Sequence, residues 1–496
     1  MQDSLKGMIG SPHADDYGNE KFQFRLSLQY DDSRGILEKI AEGKVPLSEI
    51  KAETESIRNL LDAYVTLDEE LTSWSGEKPE RVKLMFATLA KRVKLIRIMT
   101  PNLAHALKVF ETINDRGIGL NAMDLLKNLL FMRASTADHS VLKTKWKELV
   151  GLLEAAREKP LRFLRYFIMA NFPEYKGQGT NKPVREDEIY AWMEKHKQAV
   201  GIANDPLGFV DLLITNARFY RDFAEDKGND GQWNRYLNNI ALMSGKARQH
   251  FILLLAGRHL TKEGFIKLTR HIGNLYFAYL ITREPTKNFE TKFAEWSQRL
   301  RVCKTPEDID AFINDHILAE QYTLDRRFNF AFQELDENKI QKYRLRYILA
   351  KLTQYVNESA WGEQTSQGLD TYLNGAVDME HILPRQSTAD ILASFDQPDR
   401  YDEFKVKLGN LTLLEKTINA ALSNGGFSTK LSSYCQSNLL LTKSIAVKPE
   451  VGQNTALNRA VKDLKQFTAW NSETIQERQL LLTQLARRVW GMREVD

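Results

Sequence analysis

A glutamate–histidine pair and two downstream asparagines provide the residue types that phosphodiester hydrolysis requires. Glu380 directly precedes His381, and Asn410 and Asn419 lie further along the chain. A neutral imidazole can accept a proton from water near pH 7. Carboxylate and amide oxygens are hard ligands that suit Mg²⁺ or Mn²⁺, and such a cation neutralises charge on phosphoryl oxygens. The stretch Val377–Lys430 is therefore the candidate active site.

The elements that must position these residues are two short strands and a helix. Val377–His381 and Leu411–Leu414 read as strands, and a helix is predicted from Ile418 onward. Neighbouring side chains on a strand point to opposite faces. We therefore expect Glu380 and His381 to face one cation side by side only if the strand is bulged or bent there, and the nearby proline is consistent with such an irregular edge.

A histidine beside a glutamate has a simpler explanation, since most such pairs are surface pairs or capped turns. The spacing, the Gly-Asn-Leu-Thr-Leu-Leu strand and Asn419 make the combined pattern more specific than the pair alone, and this pattern resembles that of a nuclease family. A zinc-stabilised version is not expected, because Cys303 and Cys435 are the only cysteines and neither belongs to a C-x-x-C pair.

The C-terminal pattern resembles the HNH endonuclease domain of GmrSD-type restriction enzymes. The resemblance rests on Glu380–Pro384, Gly409–Leu414, Asn419, Phe427 and Lys430. It implies that His381 is the general base, that Asn410 orients it, and that Glu380 and Asn419 hold Mg²⁺ or Mn²⁺. The family often has histidine where Asn419 stands. The resemblance also implies that Lys430 contacts a DNA phosphate, and that the substrate is modified or foreign DNA in a bacterial host.

A second segment, Val109–Asn128, resembles the end of the ParB/sulfiredoxin-like N-terminal domain of the same family, which senses or binds nucleotide or modified DNA. That domain begins with an Asp-Gly-Gln-Gln-Arg motif, which does not occur in this sequence. We expect a truncated sensor domain, with a partner chain as one source of the missing segment, and no useful binding of GTP or ATP by this chain alone. Asn114, Arg116 and Gly117 are the candidate remnant of the nucleotide site, or else simply a turn that ends a helix.

Length and composition indicate a folded protein of two or three domains. The chain has 496 residues, 43% of them hydrophobic, and a net charge of +4 that permits DNA binding but also fits an ordinary mixed surface. Two distant cysteines indicate a reducing compartment. No apolar run is long enough to span a membrane, and the first residues do not form a secretory signal. We predict a cytoplasmic protein.

The predicted fold class is mainly α. Residues 1–134 form a truncated α/β sensor domain with a loose start, a strand at Phe22–Leu28 and another at Val93–Met99. Residues 135–360 form a helical domain, and residues 361–496 form the α+β HNH nuclease domain. In the helical domain, Tyr343–Lys351 mixes basic and aromatic residues, which can line a nucleic-acid groove or simply extend from an amphipathic helix.

Two other functions stay open at this stage. The chain could be a DNA-binding or regulatory subunit with a silent nuclease site, which the missing N-terminal motif favours and the intact His381, Asn410 and Asn419 oppose. It could also be a nucleotide-switch protein that acts through its N-terminal remnant, which ranks last because half of that site is absent.

Overall fold

The computed structural model describes most of the chain from residue 122 onward and shorter stretches before it. The described residues are 7–14, 20–25, 35–42, 46, 49–51, 54–76, 78–94, 96, 99, 122–177, 179–245, 247–362, 368–422, 425–449 and 455–493. The predicted nucleotide-site remnant of Asn114, Arg116 and Gly117 lies outside them. The chain divides into two compact units, Met1–Thr100 and Pro101–Asp496.

The described residues of the first unit include an antiparallel strand pair and three helices of seven or more residues. Strand β1 (Gly10–Ala14) pairs with strand β2 (Glu20–Phe24), and Phe22 meets Phe24 edge to face at 5.1 Å. The helices are Ile36–Glu42, Glu55–Ser75 and Pro79–Arg92. Thr54 caps the second helix by accepting a hydrogen bond from the backbone N–H of Ile57, as its residue type favours.

The structure corrects three predictions in this unit. The prediction of a loose N-terminus is wrong for Gly10–Ala14, because pairing with β2 orders that segment. β2 begins at Glu20 rather than at Phe22. The prediction of a strand at Val93–Met99 is wrong for its described residues, which belong to no strand. Alternating apolar side chains become a strand only when a second strand supplies hydrogen-bond partners.

The second unit is built mainly from helices, as the sequence predicts. Its helices are Ala122–Arg133, His139–Ala155, Pro160–Asn171, Ile189–His196, Pro206–Ala224, Arg235–Ser244, Phe251–Ala256, Lys262–Thr282, Thr286–Leu300, Pro306–Phe312, Ala319–Tyr322, Asp325–Gln333, Lys342–Trp361, Asp370–Leu373, Ala389–Ser394, Tyr401–Lys405, Lys416–Ala421, Phe427–Gln436, Leu440–Ala446, Ala456–Ala460 and Ser472–Val489. A π-helical turn, Ile313–Leu318, joins two of them. The predicted mainly α fold class is confirmed.

The apolar periodicity of the sequence predicts continuous helices over Arg235–Gly257 and Asp325–Asn357, and the structure breaks each of them into two. The first break follows Ser244, where Gly245 adopts a φ of 67° that glycine accepts at little cost. The second separates Asp325–Gln333 from Lys342–Trp361. Within this second break, Asp336 forms an antiparallel bridge with Lys407, so the chain leaves the helix to pair with a distant segment.

A second strand pair lies within the C-terminal part of this unit. Strand β3 (Val377–His381) pairs antiparallel with strand β4 (Leu411–Glu415), and the helix Lys416–Ala421 follows β4 directly. The predicted strand-strand-helix unit is therefore present. The boundaries predicted at residues 134 and 360 stay predictions.

The β3–β4 pair separates two clusters of buried apolar side chains. Val377, Leu411 and Leu413 belong to a large core that is formed mainly by the helices of residues 122–361, here called the helical body. Leu414 belongs to a smaller cluster with Tyr434 and with residues that follow β3. Both faces of this strand pair are thus covered. Among the described residues, no helix is both long and apolar enough to cross a bilayer.

Candidate active site

The register of β3 and β4 fixes which way each side chain of the candidate site points. Glu380 pairs with Thr412 and His381 pairs with Leu411, without interruption along the strand. The strand therefore carries no bulge at these residues. Because side chains alternate along a strand, His381 lies on the face that packs on the helical body, while Glu380 lies on the opposite face. The two side chains do not face one point side by side.

On its face of the strand, the Glu380 carboxylate is held by two residues of the helix Phe427–Gln436. Lys430 Nζ lies 2.7 Å from Glu380 Oε1 and donates a second hydrogen bond of 2.7 Å to the His381 carbonyl. The Tyr434 hydroxyl donates to the same Oε1 at 3.1 Å. The two residues are four apart, so they share one side of their helix. Burial and the Glu380 charge both raise the pKa of Tyr434, which therefore stays a donor.

On the other face, the His381 ring meets a carboxylate from the helical body. Its Nε2 lies 3.1 Å from Oε2 of Glu337. Glu337 lies in the break between Asp325–Gln333 and Lys342–Trp361. The histidine and glutamate side chains are 12% and 15% exposed, so water reaches this pair only in part.

Asn410 is fully buried and closes the loop that follows His381. Its Oδ1 accepts hydrogen bonds from the backbone N–H of Leu383 at 2.7 Å and from Trp470 Nε1 at 2.9 Å. Its Nδ2 donates to the carbonyls of Leu383 at 3.0 Å and Lys405 at 2.9 Å. Asn410 therefore acts on the backbone beyond the histidine, and its side chain makes no hydrogen bond to the His381 ring.

The backbone on both sides of Asn410 is fixed by the helix Ser472–Val489. Arg478 Nη1 donates to the carbonyls of Gly409 and Leu411, at 2.7 Å each. Gln479 accepts from the Gly409 N–H. A Cβ at Gly409 would lie 2.3 Å from the Ile475 carbonyl oxygen, so this approach requires glycine. Burial lowers the pKa of Arg478 to about 10, which leaves it charged at neutral pH.

Asn419 joins the site through an aspartate. Its Nδ2 lies 3.4 Å from Oδ2 of Asp378, two residues before Glu380 on the same face of β3. Two carboxylates and an amide are hard oxygen donors, and they fit a cation that keeps several waters, such as Mg²⁺. In the described part of the chain, no group of three or more His, Cys, Asp or Glu residues forms a ready metal cluster.

The structure thus brings most of the predicted site residues into one region. Lys430 is 4% exposed and is engaged with Glu380, so its contact with a DNA phosphate stays a prediction. Sequence reasoning missed Glu337, Asp378 and Tyr434. Alternation along β3 could have pointed to Asp378. Glu337 gave no local signal, because it lies 44 residues before His381.

Family models match both ends of the chain. The model described as "GmrSD restriction endonuclease, N-terminal domain" matches residues 5–131, and the model described as "GmrSD restriction endonucleases, C-terminal domain" matches residues 322–485. The second match contains Glu337, both strands and Arg478. No curated protein matches the chain significantly. The two matches confirm the resemblance noted in the sequence: the chain belongs to the GmrSD restriction endonuclease family and is a restriction nuclease.

Proposed function

We propose that the chain is an HNH-type, metal-dependent endonuclease that cuts modified or foreign DNA. One observation supports this most directly. The β3–β4 pair is followed at once by the helix of Asn419, whose amide lies 3.4 Å from Asp378 on the strand that ends at His381. The carboxylates and the amide thus share one face of a short strand-strand-helix unit, and the proposed base lies on the opposite face at the end of the same strand.

In this proposal His381 accepts a proton from the attacking water. The ring is partly buried and hydrogen-bonded, so its orientation is restricted before substrate arrives. Asn410 keeps the loop beyond His381 in place through its bonds to Leu383. Hydrogen bonds within the chain hold both side chains, and holding a catalytic group in place before the substrate arrives speeds the reaction.

Glu380 and Asn419 would hold Mg²⁺ or Mn²⁺, with Asp378 on the same face of β3. The cation would supply positive charge to the phosphoryl oxygens. The Lys430 ammonium neutralises Glu380 in the structure, so a cation at Glu380 would compete with it. Such competition would release Lys430, and a released ammonium suits a DNA phosphate.

The alternative is a DNA-binding or regulatory subunit with a silent nuclease site. The same salt bridge favours it, because Glu380 already has a cationic partner and a tyrosine donor. Under this alternative Lys430 would stay on Glu380 and the chain would bind DNA without cutting it.

A plasmid assay separates the two functions. The parental chain and His381→Ala are incubated with modified and unmodified plasmid in Mg²⁺, Mn²⁺ or EDTA. We expect cleavage that depends on the cation, and a loss of about 10²–10⁴-fold in His381→Ala because the base is gone. His196→Ala, which alters another partly buried histidine, is the matched control and should cut at the parental rate. Equal cleavage by His381→Ala and the parent would contradict the proposal, and DNA binding without cleavage in every condition would support the alternative.

A further inference from the structure

We infer that Glu337, a residue of the helical body, positions the catalytic histidine: its carboxylate holds His381 in the tautomer that carries hydrogen on Nε2 and leaves Nδ1 to accept the proton. The inference rests on the proposed function of His381. It names a positioning residue that lies outside the strand-strand-helix unit.

The Glu337 carboxylate lies at one of the two ring nitrogens of His381, Nε2. Glu337 Oε2 lies 3.1 Å from His381 Nε2, within hydrogen-bond distance. At 12% and 15% exposure, both side chains are shielded, and such pairs are screened less by salt and water than surface pairs.

Glu337 is held to the same loop that carries Asn410. The segment 335–337, here called the strap, pairs with residues 406–408. The Glu337 N–H donates to the Val406 carbonyl at 3.0 Å, and the Leu408 N–H donates to the Leu335 carbonyl at 3.1 Å. Gln479 adds a hydrogen bond of 3.2 Å to the Leu335 carbonyl. The strap therefore fixes the Glu337 backbone relative to the loop that is tied to the residues after His381.

The contact between Glu337 and His381 selects one tautomer of the neutral imidazole. A neutral imidazole has one N–H donor and one acceptor nitrogen. A carboxylate can only accept, so Nε2 must carry the hydrogen and the lone pair is left on Nδ1. Without the carboxylate both tautomers would be populated, and only one of them presents a lone pair at Nδ1. An orienting carboxylate of this kind is a recurrent partner of catalytic histidines.

Two variants test the inference by activity. Glu337→Ala removes the acceptor, and Glu337→Gln keeps the size but can present an N–H to Nε2, which favours the wrong tautomer. We expect kcat to fall about 10–100-fold in both, as for other residues that orient a reactive group, with KM unchanged because Glu337 is not placed on DNA. Glu334→Gln is the matched control. Its half-exposed carboxylate lies three residues away and pairs with Lys339, so kcat should not change.

A spectroscopic measurement tests the tautomer itself. The ring nitrogens of the chain are labelled with ¹⁵N, and the His381 signals are identified as those missing in His381→Gln. At alkaline pH, where the ¹⁵N signals show a neutral ring, the parental His381 should carry hydrogen on Nε2. Glu337→Ala should show a mixture. The measurement on the parental chain needs only His381→Gln for the assignment, so it can be made even if neither Glu337 variant folds.

The results separate this inference from the proposed function. Cleavage by His381→Ala at the parental rate would overturn the proposed function. An inactive His381→Ala together with a folded, fully active Glu337→Gln would overturn only the role of Glu337. Hydrogen on Nδ1 in the parental chain would also overturn it. Nε2–H in the parent, with a kcat loss at unchanged KM, would support it.

Discussion

Replacing Asn410 with alanine should loosen the active-site loop and destabilise the fold at the same time. The side chain is fully buried and makes four hydrogen bonds, two as acceptor and two as donor. Alanine would leave the Leu383 N–H and Trp470 Nε1 without partners in the interior. An unsatisfied buried donor costs about 1–3 kcal/mol, so two donors together imply a loss of about 2–6 kcal/mol.

The assay is urea unfolding of the parent, Asn410→Ala and Asn338→Ala, followed by tryptophan fluorescence. Asn338 is exposed, so its variant should change the free energy of unfolding by no more than about 0.5 kcal/mol. Hydrogen exchange across residues 382–412 should accelerate in Asn410→Ala alone, because the loop opens locally. A loss below about 1 kcal/mol with unchanged exchange would refute the role given to Asn410, since it would mean that neither donor depends on it.

Two further predictions concern the face of β3 that carries Glu380. Asn419→Ala should weaken cleavage by weakening metal binding, with partial rescue by high Mn²⁺; an unchanged Mg²⁺ dependence of the rate would remove Asn419 from the ligand set. Lys430→Met breaks a buried ion pair and should destabilise the chain by about 3 kcal/mol, against about 1 kcal/mol for the control Tyr434→Phe, as measured by urea unfolding. Because Lys430→Met removes the competing ammonium, calorimetry should also show tighter Mg²⁺ binding, and weaker binding would mean that Glu380 is not a ligand.

Local signals in the sequence predicted several elements closely. β3 has the predicted bounds, Val377–His381. The signals that predict it, alternating side chains and a proline shortly after the strand, are local features of the sequence. The sequence pattern also predicts a closing helix from about Ser472 to Trp490 with Asn471 or Ser472 as its cap. The helix Ser472–Val489 does begin there, and Asn471 Oδ1 accepts a hydrogen bond from the Thr474 N–H.

The predictions that failed depend on contacts between distant residues. The break before Lys342 arises where the strap pairs with residues 406–408. No sequence signal near the break predicts this pairing, because the partner lies about 70 residues further along the chain. The contact of Glu337 with His381 has the same origin. The face of β3 on which each side chain lies followed from alternation, but what covers each face did not, because it depends on how the helices pack.

The loop around Asn410 is synthesised before the side chains that hold its backbone in place. Arg478 and Gln479 follow Gly409 by 69 and 70 positions. At translation rates of roughly 5–20 residues per second, the ribosome makes these two side chains about 3–14 s after the loop that they hold. During that interval the Gly409 and Leu411 carbonyls lack their arginine donor. A nascent chain therefore carries the residues from Glu380 to Asn419 before it contains the helix Ser472–Val489, which fixes the backbone on both sides of Asn410.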